Sequence, residues 1–320
     1  MFCCILTFAT LAFAQNATTS LRGIIKDSSG ALVSGASVTL LDQATNNTYH
    51  AASNATGSYI FPLLPPANYL ITITSTGFAT QTRTAELLVD QPATLDVILS
   101  VSADTVTVDV SASAETLNLT DATMGNAVGN ATIEALPMDG RNPISLLSLQ
   151  PGVLYLGSST TDSRQGAVAG GRSDQGNVTL DGLDDNDQIN GTAFSGVLRS
   201  TLDSTEEFRV TTSNGTAASG RSSGAQINLL TKSGTNHNHG SLYEYYRPTN
   251  TVANNFFNKN DELASGESNI PQKYILNTFG GSIGGPILKD KLFYFFNYEG
   301  QRVGTDDVVG ATVPTHIYAR

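Results

Sequence analysis

Residues 280–299 read GGSIGGPILKDKLFYFFNYE: a run spaced by Gly280, Gly281, Gly284 and Gly285, a charged turn at Lys289, Asp290 and Lys291, then a strand with two largely apolar faces. Alternation puts Leu292, Tyr294, Phe296 and Tyr298 on one face and Phe293, Phe295, Asn297 and Glu299 on the other. Two environments accept such a strand. Buried between two layers, it would meet apolar groups on both sides. In the wall of an outer-membrane barrel it would meet lipid on one side and the lumen on the other, in a segment of about ten residues with aromatic ends. Periodicity alone leaves both readings open.

The chain has 320 residues, 14% of them charged, with a formal net charge of −11. That length accommodates two or three domains. Seventeen Lys and Arg are scattered along it, whereas a nucleic-acid partner requires basic residues clustered against phosphate. Nucleic acid is therefore excluded as a partner. Residues 1–14, MFCCILTFATLAFA, are apolar and end on the small residues Ala12 and Ala14, the pattern of a secretory signal without its basic start. The segment is too short to span a bilayer as a helix; a buried helix of a cytosolic protein is the alternative. Cys3 and Cys4 leave with a cleaved signal, so disulfides, cysteine metal sites and thiol chemistry are not expected of the mature chain.

Residues 21–100 alternate in short runs. Ser37 through Leu40, Tyr69 through Ile73 and Leu95 through Leu99 each show period two and so present one face to a core. Asp27-Ser28-Ser29-Gly30, Asn54-Ala55-Thr56-Gly57 and Pro65-Pro66-Ala67-Asn68 supply turns. The expectation is a β-sandwich of about 80 residues. Residues 101–130 read as a linker around an isolated β-prone segment, DTVTVDVS at 104–111; a last sandwich strand is the other reading. From 131 to 234 the chain becomes glycine-rich and polar, with short helices expected at 133–137 and 145–149, a strand at 177–180 and an acidic loop after it, a small mixed α/β unit.

LRGIIKDSSGALVSGASVTLLD together with NATGSYIFPLLPPANYLITITSTGF resembles the carboxypeptidase regulatory-like domain, a prealbumin-like sandwich, with Ala67 standing where a glycine is usual. The resemblance implies no peptidase activity. In order along the chain, ALPMDGRNPISLLSLQPGV, GGRSDQGNVTLDGLDDND, STEEFRVTTSNGTAASGRSSGAQINLLTKSGTN and GSLYEYYR then resemble the plug and first barrel strand of TonB-dependent outer-membrane receptors of the Oar-like branch. It implies a mainly β protein: sandwich at 21–100, plug at 131–234, and the first strands of a transmembrane barrel at 235–320. It also implies that Asp104, Thr105, Val106, Thr107, Val108, Asp109 and Val110 form a TonB box, pulled by a TonB-type periplasmic energy-transducing protein. Arg141, Arg172, Asp181 and Arg221, on plug motifs, are implied in plug structure and contact with the wall. Outer-membrane lipid and an extracellular ligand, a glycan or peptide, are the remaining partners implied, with the sandwich in the periplasm of a Gram-negative cell.

With a plug upstream, residues 280–299 read as membrane wall: a strand at 277–287, a short periplasmic turn at 288–291 and a strand from Leu292, preceded by a first strand at 240–247 and an Asn-rich extracellular loop at 248–273. A plugged barrel needs about 22 strands, at about ten residues each. The residues after Gly234 supply three or four, so the expectation is the N-terminal fragment of a longer receptor.

No enzyme and no cofactor are expected. Asp181, Asp184, Asp185 and Asp187 lack the spacing of an EF-hand loop. His237 and His239 have no further ligand nearby in sequence, and the glycine pairs lack the Gly-Lys-Ser/Thr of a phosphate loop. The competing readings are a secreted carbohydrate-binding or adhesive sandwich protein and an accessory module of a secreted peptidase. Neither explains the strand at Leu292.

Overall fold

The structure is a computed structural model and describes residues 17–101, 108–110 (backbone only), 122–136, 138, 141–155, 166–172, 175–187, 194, 196–215, 220, 222 and 224–306. The chain divides into two compact units. One takes in the chain as far as Asn238 together with Gly284–Phe295, the other His239–Ile283 and the chain from Phe296.

The first unit opens with nine strands: β1 (Thr19–Asp27), β2 (Ser37–Asp42), β3 (Thr48–Ala52), β4 (Ser58–Leu64), β5 (Ala67–Thr74), β6 (Gln81–Leu87), β7 (Ala93–Thr94), β8 (Val97–Leu99) and β9 (Val108–Val110). They form two sheets, one ordered β4-β1-β7 with β8 also on β1, the other β3-β2-β5-β6-β9. Alternating residues of each, among them Leu21, Ile25, Val38, Leu40, Phe61, Ile71, Ile73 and Leu99, close one apolar core. Burial of such side chains stabilises by roughly 1.5–3 kcal/mol apiece. The expected turns form as their residues dictate. Asp27 accepts from the backbone N–H of Ser29 and Ala31 at 2.8 and 2.9 Å, and Gly30 takes φ +88°. Asn54 does the same for Thr56 and Ser58, with Gly57 at φ +66°. Ala67 begins β5 and does not take a positive φ, so no glycine is required at 67; the nearby left-handed residue, Leu63 at φ +54°, lies within β4.

Residues 95–99 alternate as expected, with Leu95, Val97 and Leu99 buried in the core, and Val97–Leu99 form β8. β7 and β8 pair in parallel with successive parts of β1 in one register, and the chain between them lies against Gly23. There Asp96 accepts from the N–H of Ile24 at 2.9 Å and the Tyr59 hydroxyl donates to the Leu95 carbonyl at 2.7 Å. A Cβ on Gly23 would stand 1.9 Å from the Leu95 oxygen. Gly23→Ala is expected to lower the unfolding free energy by about 1–3 kcal/mol, the range for overpacking a closed contact, read by chemical denaturation; an unchanged midpoint would show that the contact yields.

The same unit continues through β10 (Met124–Gly129), α1 (Asn130–Ala135), a 3₁₀ turn at Pro143–Leu149, β11 (Val153–Leu154), β12 (Ala167–Val168), β13 (Gly171–Arg172), β14 (Asn177–Leu180), β15 (Leu183–Asp184), β16 (Thr205–Ser213) and β17 (Gln226–Thr231). Five of these make a central sheet ordered β10-β16-β17-β14-β15, antiparallel except for β14 on β17. Ile133 of α1 and Leu146 and Leu147 of the 3₁₀ turn pack with Phe208, Val210, Ile227 and Leu229 of the sheet. The second expected helix is thus a 3₁₀ turn, opened by the Asn142 side chain accepting from the N–H of Ile144. β11, β12 and β13 form a small separate sheet.

β18 (His239–Arg247), β19 (Tyr274–Leu288) and β20 (Leu292–Thr305) are ordered β18-β19-β20 in an open sheet. The turn of the β19–β20 hairpin has Asp290 at φ +63°. The segment 248–273, expected as loop, holds a helix, α2 (Phe256–Ala264), whose N-terminus is capped by Asn255 accepting from the N–H of Phe257 at 2.9 Å. An Asn ahead of an apolar pair was the available signal; the abundance of Asn in that segment concealed it.

Candidate functional site

Of the candidate coupling segment, Val108, Asp109 and Val110 lie among the described residues and Asp104, Thr105, Val106 and Thr107 do not. The three add to the edge of the sandwich as β9, parallel to β6, in the register Gln81↔Val108, Thr82↔Asp109, Arg83↔Val110. The reading of this segment as a last sandwich strand therefore describes its backbone position.

The other candidates occupy structural ties. Asp181 sits at φ +52° after β14 and receives the N–H of Thr231 at 2.8 Å and the Thr231 hydroxyl at 2.8 Å. It fastens the end of β17 to the β14–β15 turn. Asp181→Ala removes two hydrogen bonds to a carboxylate and is expected to cost about 2 kcal/mol, with Asp181→Asn recovering part; equal unfolding midpoints for all three proteins would sink the tie. Arg141, itself at φ +53°, forms an ion pair with Asp203. Arg172 ends β13, its N–H donating to the Gln175 side chain at 3.3 Å. Arg221 lies outside the described residues.

The aspartates of the acidic loop are engaged separately. Asp184 receives the N–H of Asn186 at 3.1 Å, and the buried Asp185 receives that of Leu198 at 2.8 Å. Burial pushes the Asp185 carboxyl up from its ordinary range. Lys232, 2.7 Å from Glu134, holds that carboxyl below its ordinary range. Among the described residues no three His, Cys, Asp or Glu gather as a metal would require.

In the hairpin, Phe296 and Tyr298 are 62% and 56% exposed and Leu292 is exposed beside them, while Asn297 and Glu299 on the alternate face are half-buried. Glu299 accepts from the Tyr243 hydroxyl at 2.9 Å. Gly280 leaves the room for that hydroxyl, which would stand 2.5 Å from a Cβ there. The strand from Leu292 therefore turns Leu292, Phe296 and Tyr298 outward, while the other face, Phe293 and Phe295 followed by Asn297 and Glu299, is half-buried and becomes polar toward its end.

A polar cluster that the sequence reading passed over lies on β16. Thr205, Glu207, Arg209 and Thr211 alternate with the core residues Phe208 and Val210, a pattern that reads as a solvated face, yet all four are buried. The turn after β6 meets Glu207 and Arg209, while the Thr205 hydroxyl donates to the Thr201 carbonyl at 2.8 Å. Glu207 receives the N–H of Val89 on both carboxylate oxygens, at 2.9 and 3.0 Å. Arg209 donates to the Gln91 side chain at 3.2 Å, and Asn228 of β17 to Asp90. Burial dominates the electrostatics of Glu207 and pushes its carboxyl up to about 7, against the Val89 hydrogen bond and the Arg209 charge, which act the other way. Asp90 is raised by burial too.

The model of the carboxypeptidase regulatory-like domain matches residues 20–100, and that of an outer membrane beta barrel domain matches residues 230–319. The chain is 26% identical over 303 residues to the TonB-dependent transporter Oar of Myxococcus xanthus, an alignment covering 92% of this chain and 27% of that protein. It thus spans about a quarter of the length of the curated relative it matches. Among solved structures, the siderophore receptor PirA from Acinetobacter baumannii is 22% identical over 55% of this chain and 24% of its own, with a TM-score of 0.40. Chlorocatechol 1,2-dioxygenase from Pseudomonas putida is 13% identical over 27% of this chain and 61% of its own, with a TM-score of 0.22.

Proposed function

We propose that the chain is the front part of an Oar-like TonB-dependent receptor of the outer membrane and acts in energy-coupled uptake, with residues 131–234 as the plug and β18–β20 as the first strands of a barrel wall. The observation that carries this reading is the alignment of 92% of the chain with a TonB-dependent transporter, the sandwich, the coupling segment, the mixed sheet and the hairpin following one another within it. The ligand is a molecule too large or too scarce for passive pores, a glycan or peptide. The sandwich stands in the periplasm, where residues 104–110 are within reach of a TonB-type protein. No step of this function makes or breaks a covalent bond.

The outward apolar face of β20 supports the wall. A lipid-facing position tolerates Leu292, Phe296 and Tyr298 in the open, which water does not favour as a cluster. Site-directed disulfide cross-linking tests the coupling. With the chain placed ahead of a complete barrel of the same family, Val106→Cys should form a covalent adduct with a TonB-type protein carrying cysteines in its C-terminal domain. The absence of any adduct from positions 104 to 110, with a cross-linkable control receptor working in the same cells, would remove the assignment.

A further inference from the structure

The buried polar face of β16 is the feature of the molecule that nothing above uses. Three side chains of the central sheet, Glu207, Arg209 and Asn228, each reach a different residue of one four-residue turn of the sandwich, at Val89, Gln91 and Asp90. The turn directly follows β6, the strand on which β9 lies. We propose that this contact is a releasable, proton-linked latch by which the sandwich holds the central sheet, with Glu207 as the group whose ionisation opens it. The assignment of the latch rests on the geometry alone; its meaning for a moving plug rests on the transport reading.

A buried carboxylate is costly unless its charge is met. Here the two oxygens share one N–H donor, that of Val89. The charged groups facing Glu207 are Glu86 on β6 of the sandwich and Glu206 beside it, which oppose its ionisation, and Arg209, which favours it but also faces Asp90. Protonated, the group sits in the contact at no charge penalty and still accepts from Val89. Ionised, it is drawn back to water, and reaching water means lifting the turn.

The sign follows from linkage. The carboxyl has an ordinary value of 4.5 and is pushed up to about 7 in the closed contact, so closing takes up a proton. The contact is strongest below 4.5, weakens as pH rises toward about 7 and changes little above it.

Hydrogen–deuterium exchange on the full chain in detergent micelles tests this, each amide rate being divided by its intrinsic rate at the same pH. Protection of the turn at 88–91 should fall roughly 30-fold between about pH 5.5 and about pH 8 in the wild type. Glu207→Gln, which mimics the protonated acid and can still accept from Val89, should keep its protection at both. Protection of the core strand β5 should stay level throughout. A flat profile in the wild type, the same fall in Glu207→Gln, or a parallel loss in β5 would each overturn the latch. Carbon-13 NMR titration of the Glu207 carboxyl gives a second reading that needs no variant to fold: a midpoint near 4.5 would also overturn it. None of these outcomes bears on the cross-link from position 106, so the latch and the transport reading fail separately.

Discussion

Replacing residues 104–110 with a Gly/Ser linker of equal length, in a receptor that carries this chain ahead of a closed barrel, is expected to abolish uptake while leaving ligand binding at the cell surface unchanged. Transport by a plugged barrel requires work delivered through a segment that a partner can grip, and a Gly/Ser chain presents neither β-prone side chains nor a stable strand. Binding depends on surfaces far along the chain and does not need that grip. The measurement is accumulation of a labelled ligand in cells against binding at low temperature, in strains with and without the TonB-type protein. Uptake equal to that of the parent would remove the coupling role of the segment and leave the pairing of β9 on β6 as a purely structural feature of the sandwich.

The second large effect is expected in the wall. Phe296→Arg puts a guanidinium on the outward apolar face and is expected to cost about 2–4 kcal/mol of folding into bilayers, as a cation does on the lipid face near the membrane midplane. Asn297→Arg, on the alternate face with Glu299, should cost far less, because that face of the strand already carries polar groups. The comparison is made by urea titration of a closed barrel carrying this hairpin in vesicles of phosphatidylcholine. Equal costs for the two substitutions would mean that the faces do not differ in environment, and that the strand lies between protein layers instead.

Several elements were legible because their causes are local. Asp27 and Asn54 each precede a glycine at the right interval, and each folds its turn with its own side chain. Period two in Tyr69, Ile71 and Ile73 requires a single buried face, and the three are fully buried. The hairpin at 288–292 was readable from a charged turn between two apolar strands. Where the causes are not local, the reading failed or was silent. Residues 95–99 alternate as read, but the glycine that makes room for the Leu95 carbonyl lies more than seventy residues earlier, at Gly23, and nothing near 95–99 announces it. The helix at Phe256–Ala264 has a local cap, yet its surroundings look like loop. Asp181 was placed on a plug motif by resemblance, whereas its partner Thr231 lies fifty residues on.

By itself, then, the sequence determined the alternating strands, the turns and the outward apolar face of the final hairpin, since each depends on residues within a few positions of one another. Only the tertiary structure decided what covers the other face of β16. Thr205, Glu207, Arg209 and Thr211 carry the polarity of a solvated surface, and nothing near them in the chain says otherwise. Glu207 and Arg209 are met by the N–H of Val89 and the side chain of Gln91, from a turn more than a hundred residues earlier that also brings Asp90 to Asn228 of β17. A polar face becomes an interior one only where hydrogen-bond partners arrive from elsewhere in the fold, and that arrival is a property of packing rather than of pattern.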